Sequence, residues 1–194
     1  VELAQQAVAE NMSLVVATGG DGTVNEVAQG LVNTTVPMAI LPKGSGNGLA
    51  RHLGLPMSFH RALLQLHTLV PVPIDTLAIN GHLSVNVSGI GFDGHIANLF
   101  GKDGKRGLAN YTRLTLREFV RFQEFESEIE WEGQVMHSKH FLIALANSSQ
   151  FGNNARIAPL ASVRDQQFDL SLVQKVPLHY ALGFARNMFT GRLD

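Results

Sequence analysis

The segment Gly19-Gly20-Asp21-Gly22-Thr23 follows the apolar run Leu14-Val15-Val16-Ala17 and precedes Val24, Val27, Ala28, Leu31 and Val32. Those five residues recur with the spacing of a helix that buries one face, so the local order is strand, glycine loop, helix. Three glycines leave the backbone free to take positive φ angles and let its N–H groups approach an anion without Cβ interference. The following helix points its positive end at the same spot, which makes the loop a phosphate cradle. Asp21, at its centre, adds a carboxylate able to bind a metal or accept a proton.

The unit repeats. Met38-Ala39-Ile40-Leu41, between Pro37 and Pro42, leads into Gly44-Ser45-Gly46-Asn47-Gly48 and a short helical stretch, Leu49 to Leu53. A further helix is expected from Ser58 as N-cap through Ala62, Leu63 and Leu66. Two such loops at the carboxyl ends of parallel strands lie side by side where open α/β sheets bind ligands, and together they suit a nucleotide. Neither is a Walker P-loop, because no lysine follows the last glycine, and the Gly-x-Gly-x-x-Gly dinucleotide spacing is absent.

From Val70 the pattern changes: Pro71 and Pro73 punctuate the chain and later segments alternate apolar and polar residues. This predicts an α/β N-terminal part over residues 1–70 and a β-rich second domain over 71–194. Ile74 to Ile79, the turn Asn80-Gly81 and Leu83 to Val87 read as a hairpin, since both turn residues accept positive φ. Glu128 to Glu132, a turn at Gly133, and Phe141 to Ala146 extend the sheet, with Phe168 to Val173 as a later strand. Helices are expected over about 108–125, where Arg113, Arg117 and Arg121 form a stripe with Lys102, Lys105 and Arg106 nearby, and over 178–189. The stripe reads as a solvated face or as a membrane-docking one. Trp131 is expected to pack, and Asn147 with Gly152-Asn153-Asn154 to form a loop at the cleft.

Composition narrows the function classes. A net charge of −1 gives no basic excess for nucleic acid. The absence of cysteine removes disulfides and thiolate metal sites and suits a reducing, cytoplasmic compartment. The eight histidines show no metal-ligand spacing. No run of about 18 apolar residues is present to form a membrane span.

GGDGTVNEV (Gly19 to Val27) followed by LPKGSGNGLAR (Leu41 to Arg51) resembles the diacylglycerol kinase catalytic domain family, which includes bacterial lipid kinases and sphingosine and ceramide kinases. VPIDTLAING around Asp75, NVSGIGFD (Asn86 to Asp93) and Asn147 through Leu170 resemble family blocks in the same order. The resemblance implies ATP-dependent, Mg²⁺-assisted phosphorylation of a lipid hydroxyl, diacylglycerol- or sphingosine-like, by a peripherally membrane-associated enzyme. It implies an N-terminal domain similar to those of NAD kinases and phosphofructokinases, a sandwich-like C-terminal domain, and an active site in the cleft between them.

Carried over, Gly19, Gly20, Gly22 and Thr23 bind the ATP phosphates, Gly44, Ser45, Gly46 and Asn47 line the nucleotide site, and Asp21 and Asp75 hold Mg²⁺. Asp165 is the expected catalytic aspartate, with Asp21 beside it in the catalytic set. The chain departs from the family pattern at Gly48, where many bacterial members carry aspartate and sphingosine-kinase-like members do not, and at Gln166, where a glycine is usual. Family members also extend beyond both ends, so a fragment of weak or no activity is expected. The alternatives are an NAD-kinase-like enzyme for a soluble substrate and a non-catalytic nucleotide- or lipid-binding module.

Overall fold

The computed structural model describes residues 1–102 and 108–193, with side chains outside 100–112. The first third alternates helix and strand: α1 (Glu2–Ala9), β1 (Val15–Gly19), α2 (Asp21–Leu31), β2 (Met38–Pro42), α3 (Gly48–His52) and α4 (Phe59–Gln65). β1 and β2 are parallel, with Val15 opposite Met38 and Gly19 opposite Pro42, so the two glycine loops leave the same edge at the same level. The apolar stripe of α2 buries Val24, Ala28 and Leu31, as its spacing requires. Gly30 lets α1 cross close by, since a Cβ there would meet Ala4 Cβ at 2.6 Å. Ser58 stands at the N-cap of α4, in extended conformation.

An irregular stretch leads to β3 (Leu77–Ile79) and β4 (His82–Ser84), antiparallel across Asn80 and Gly81, both at positive φ. This hairpin is shorter than the alternation suggested. The second arm breaks after Ser84, and Val87–Gly91 becomes a separate strand, β5, which pairs elsewhere. The order continues as α5 (Phe92–Lys102), α6 (Leu108–Arg121), β6 (Phe125–Trp131), β7 (Gln134–His140), β8 (Leu142–Ala146), β9 (Gln150–Gly152), β10 (Ala155–Arg156), β11 (Asp169–Val173) and α7 (Leu178–Thr190). β11, β8 and β5 form an antiparallel sheet with β8 central. β6 and β7 pair with each other over seven residues as a hairpin of their own. Trp131, expected to pack, stands 44% exposed at its tip, because neither face of this hairpin is covered there.

Two hydrophobic cores result. The first joins Ala17, Val24, Ala28, Ile40, Leu49 and Ala50 to Val85 and Val163, so the later part of the chain closes the core begun by the first two strands. The second lies under β8, where Phe141, Leu142, Ala144 and Ala146 meet Ile157, Ala158 and Ala161. Phe92 at the head of α5 and Phe119 and Phe122 at the tail of α6 close around Phe141, with ring centroids 4.5–6.1 Å apart. Edge-to-face and offset contacts at such distances add about 0.5–1.5 kcal/mol per pair beyond burial, which fixes both helices against the sheet.

Candidate active site

The two glycine loops touch. A Cβ on Gly20 would lie 3.1 Å from the Gly44 Cα, and one on Gly44 would strike the Gly20 Cα. A Cβ on Gly46 would lie 3.1 Å from Asp21 Oδ2. A third segment joins them: Gly152, at the end of β9, bridges Asn47, and a Cβ on it would lie 2.7 Å from the Gly46 Cα. None of Gly19, Gly20, Gly22, Gly44, Gly46 and Gly48 is at positive φ. The sequence reading that these glycines serve left-handed turns is therefore corrected: apart from Gly22, they are needed where backbone packs on backbone or side chain. The left-handed position of the second loop belongs to Asn47, at φ +52°.

Asn47 also locks that loop. Its Oδ1 accepts the Gly44 N–H at 2.9 Å and its Nδ2 donates to the Gly44 carbonyl at 2.8 Å. The Gly46 carbonyl accepts from Arg51 Nε at 3.0 Å and from the Asn153 N–H at 3.1 Å. Arg51, Gly152 and Asn153 thus belong to the site's scaffold, which motif reading did not assign them. Gly48 is forced by its neighbours, because a Cβ there would lie 2.5 Å from Asn86 Nδ2 and 2.8 Å from the Gln150 carbonyl.

Gly22 is different. Nothing lies within 4 Å of the Cβ it lacks, and it sits in the first turn of α2, whose N-cap Gly20 supplies no side-chain cap. The first amides of a helix lack intrahelical acceptors and its dipole favours negative charge there, so this turn has the chemistry that suits an anion. Thr23 Oγ1 and Cβ lie against Gly19, closing the loop from beneath.

The carboxylate of Asp21 turns toward the start of α3, where Oδ1 accepts the Leu49 N–H at a long 3.4 Å. Burial raises its pKa, opposed by the amides of Gly48, Leu49 and Asn47. It lies between the two loops. Asn25, four residues on, uses both ends of its amide: Nδ2 donates to the Leu83 carbonyl at 2.9 Å and Oδ1 accepts the Val85 N–H at 3.1 Å. The motif helix is thereby bolted to the strand-rich part of the chain.

Asp75 and Asp165 form a second acidic group. Asp75 Oδ2 accepts the Gln166 N–H at 2.7 Å, and its backbone N–H donates to the Val163 carbonyl at 2.7 Å. Asp165 is exposed, and its Oδ1 accepts the Gln167 N–H at 3.1 Å. Gln166 is at φ +60°, the conformation that a glycine holds without cost, so the departure noted in the sequence carries local strain. Asn147, fully buried, donates from Nδ2 to the Asp75 carbonyl at 2.8 Å and to the Val85 carbonyl at 3.1 Å. Among the described residues no hydrogen bond joins the side chain of Asp165 or Asp75 to the glycine loops, and no three acidic or histidine side chains converge as a metal cage.

Two further residues support the junction. His52 Nδ1 accepts the Ser149 N–H at 3.1 Å, and burial together with the Arg156 charge lowers its pKa, holding the ring neutral. Ser148 Oγ donates to Asn86 Oδ1, fastening the strand that leads to Gly152. Asp93, in the first turn of α5, packs its carboxylate on Gly89 and is raised in pKa by burial.

Comparison with known proteins agrees with this arrangement. The family described as Diacylglycerol kinase catalytic domain matches residues 1–79, and the YegS C-terminal NAD kinase beta sandwich-like domain matches residues 86–193. A Chromohalobacter salexigens protein named "Probable lipid kinase YegS-like" is 31% identical over 90% of this chain and 58% of its own length. The diacylglycerol kinase of Bacillus subtilis is 28% identical over 90% of this chain and 59% of its own. The crystal structure of a diacylglycerol kinase from Bacillus anthracis superposes with a TM-score of 0.72 at 25% identity, covering 99% of this chain and 62% of that one. The chain thus spans under two thirds of the length of these relatives. With both halves matched in order and the paired glycine loops at the sheet edge, the chain belongs to the diacylglycerol kinase catalytic domain family, with a sandwich-like domain of the YegS C-terminal type.

Proposed function

We propose that the protein is an ATP-dependent kinase that phosphorylates a lipid hydroxyl, diacylglycerol- or sphingosine-like, with Mg²⁺. One observation carries the reading: the first turn of α2 and the locked second loop meet around the half-buried carboxylate of Asp21. The amides of Gly20, Gly22 and Thr23 bind phosphate oxygens at the dipole end of α2, and the loop from Gly44 to Asn47 lines the nucleotide from the other side. Phosphoryl transfer asks chiefly for positioning and charge neutralisation, and this scaffold supplies the first.

For Mg²⁺ the donor set fits in a limited way. Asp21 supplies one oxygen-bearing, partly desolvated ligand beside the phosphate cradle, the remaining positions going to phosphate and water, as is usual for this ion. When bound there, Mg²⁺ would neutralise charge on the transferring phosphoryl group. Asp75, whose Oδ2 is engaged by Gln166, is the second proposed ligand. Asp165, exposed on the adjoining turn, is the candidate base: its carboxylate takes the proton of the lipid hydroxyl as that oxygen bonds to the γ-phosphorus and ADP leaves.

The test uses the full-length protein, labelled ATP and a total lipid extract. Label is expected in a lipid product, and Asp21→Ala abolishes it. Transfer to NAD and never to lipid would overturn the lipid assignment, and nucleotide binding without any transfer would overturn the enzyme reading.

A further inference from the structure

The asparagines around the glycine loops differ in one respect. Asn25 uses both ends of its amide, on Leu83 and Val85, and Asn47 uses both ends on Gly44. Asn86, the residue before β5, uses one. Its Oδ1 accepts from the hydroxyl of the fully buried Ser148, and its backbone carbonyl accepts the Asn147 N–H at 2.9 Å. Its Nδ2 has no acceptor among the described residues, and it is not shut into the interior, so two N–H groups are left for a group arriving from outside.

The place of Nδ2 is fixed on both sides. A Cβ on Gly48 would lie 2.5 Å from it, and the amide of Gly48 is one of those turned to the Asp21 carboxylate. The Gln150 and Phe151 carbonyls stand 2.8 and 2.9 Å from that same Cβ position, surroundings that favour the N–H end of the Asn86 amide over its oxygen. In the other direction Asn147 joins Asn86 to Asp75, whose carboxylate holds the Gln166 N–H next to Asp165. Asn86 thus stands between the two acidic groups, Asp21 across Gly48 and the Asp75–Asp165 turn beyond Asn147.

A single neutral donor near a carboxylate is poorly matched to a phosphate and offers nothing to an ammonium group. It suits an uncharged oxygen with a free lone pair. Lipid alcohols of both classes carry such an oxygen close to the hydroxyl that would be phosphorylated: the ester carbonyl of a diacylglycerol, or the 3-hydroxyl of a sphingoid base. We propose that Asn86 is an acceptor-binding residue whose Nδ2 donates to this second oxygen and thereby aims the reacting hydroxyl into the space between Asp21 and Asp165. The proposal rests on the lipid-kinase reading.

Initial rates of the full-length protein with ATP and dispersed lipid test it. A 1,2-diacylglycerol is compared with its 2-alkyl ether, which lacks the carbonyl, and sphingosine with 3-deoxysphingosine. For the lipid that is phosphorylated, loss of the second oxygen raises the KM for lipid about 3- to 10-fold, the worth of one neutral hydrogen bond, and leaves the KM for ATP unchanged. Asn86→Asp keeps an oxygen for Ser148 and loses the donor. It raises the KM for the complete lipid by a similar factor and no longer distinguishes that lipid from its analogue, and Asn86→Ala behaves alike.

Discrimination within the diacylglycerol pair identifies the ester carbonyl as the bound oxygen, and within the sphingoid pair the 3-hydroxyl. A parent protein that treats lipid and analogue equally overturns the proposal, a comparison that requires no variant to fold. Variants that discriminate as the parent does overturn it too, as does a rise in the KM for ATP in place of lipid, since Nδ2 then serves the nucleotide. Transfer to neither lipid overturns the kinase reading and the proposal together, whereas transfer with equal treatment of each pair overturns the proposal alone.

Discussion

Gly22 and Gly152 look alike in sequence and do opposite things, so replacing each with alanine separates nucleotide binding from scaffold. At Gly22 a methyl group meets no atom within 4 Å, and the residue lies in a helical turn. Alanine is favoured over glycine in helices by about 0.5–1 kcal/mol, so Gly22→Ala should raise the melting temperature of the free protein by about 1–4 °C. The same methyl projects beside the amides assigned to phosphate. Losing one hydrogen bond to a charged group costs about 1.5–3 kcal/mol, so ATP affinity should fall about 10- to 150-fold.

At Gly152 the numbers run the other way. Its φ is +131°, and a Cβ would lie 2.7 Å from the Gly46 Cα and 2.8 Å from the Gly46 carbonyl carbon, backbone atoms with little freedom to move. A sparsely populated backbone region costs about 1–3 kcal/mol and overpacking a similar amount, giving a loss of about 2–5 kcal/mol. Thermal unfolding with calorimetric ATP titration reads both quantities. A Gly22→Ala protein that binds ATP like the parent, or a Gly152→Ala protein of unchanged stability, would refute the division of roles drawn here.

The other predictions concern charge and strain. Asp21→Asn keeps an acceptor for the Leu49 N–H, so stability should change little while phosphoryl transfer drops by about 10² or more. Because burial raises the folded pKa of Asp21, the protonated form favours the native state. That contribution is complete below the ordinary carboxylate value of 3.8 and is lost as pH rises through the raised value, a decline the Asn variant should lack in pH-resolved unfolding. Gln166→Gly should stabilise the fold by about 1 kcal/mol by relieving the left-handed backbone at φ +60°, measurable by denaturant titration. His52 has the opposite sign from Asp21: its folded pKa is lowered, so its contribution is whole above 6.5 and is lost as pH falls through the lowered value. His52→Asn should flatten that acid-side loss of stability.

Much of the fold as far as Gly81 was legible because its signals are local. The spacing of Val24, Ala28 and Leu31, the two apolar runs before glycine loops, and Asn80-Gly81 each specify a structure within a few residues, and each formed where expected. The long helix ends at Arg121, short of the expected 125, because Phe125 begins β6. α5 escaped notice because it starts without a linker after β5 and carries Gly94 and Gly101 within it. β7 escaped because Gln134 to His140 is largely polar on both faces, leaving no alternation to read.

The reason for the glycines was hidden for a different cause. Positive φ and close approach both demand the loss of a Cβ, and only the fold shows that Gly46 meets Gly152, over 100 residues away. The same holds for Asn147 and Asp75, joined across 72 residues. Lys105 and Arg106 of the predicted basic stripe, and the side chain of Lys102, lie outside the described residues.

The central claim is that one polyphosphate sits between the two glycine loops. Amide-resolved NMR during titration with ATP and Mg²⁺ tests it most directly. The largest shifts are predicted at Gly20 to Thr23 and Gly44 to Gly48 together, saturating at one affinity, with the β6–β7 hairpin unmoved. Shifts confined to one loop, or centred away from both, would contradict it.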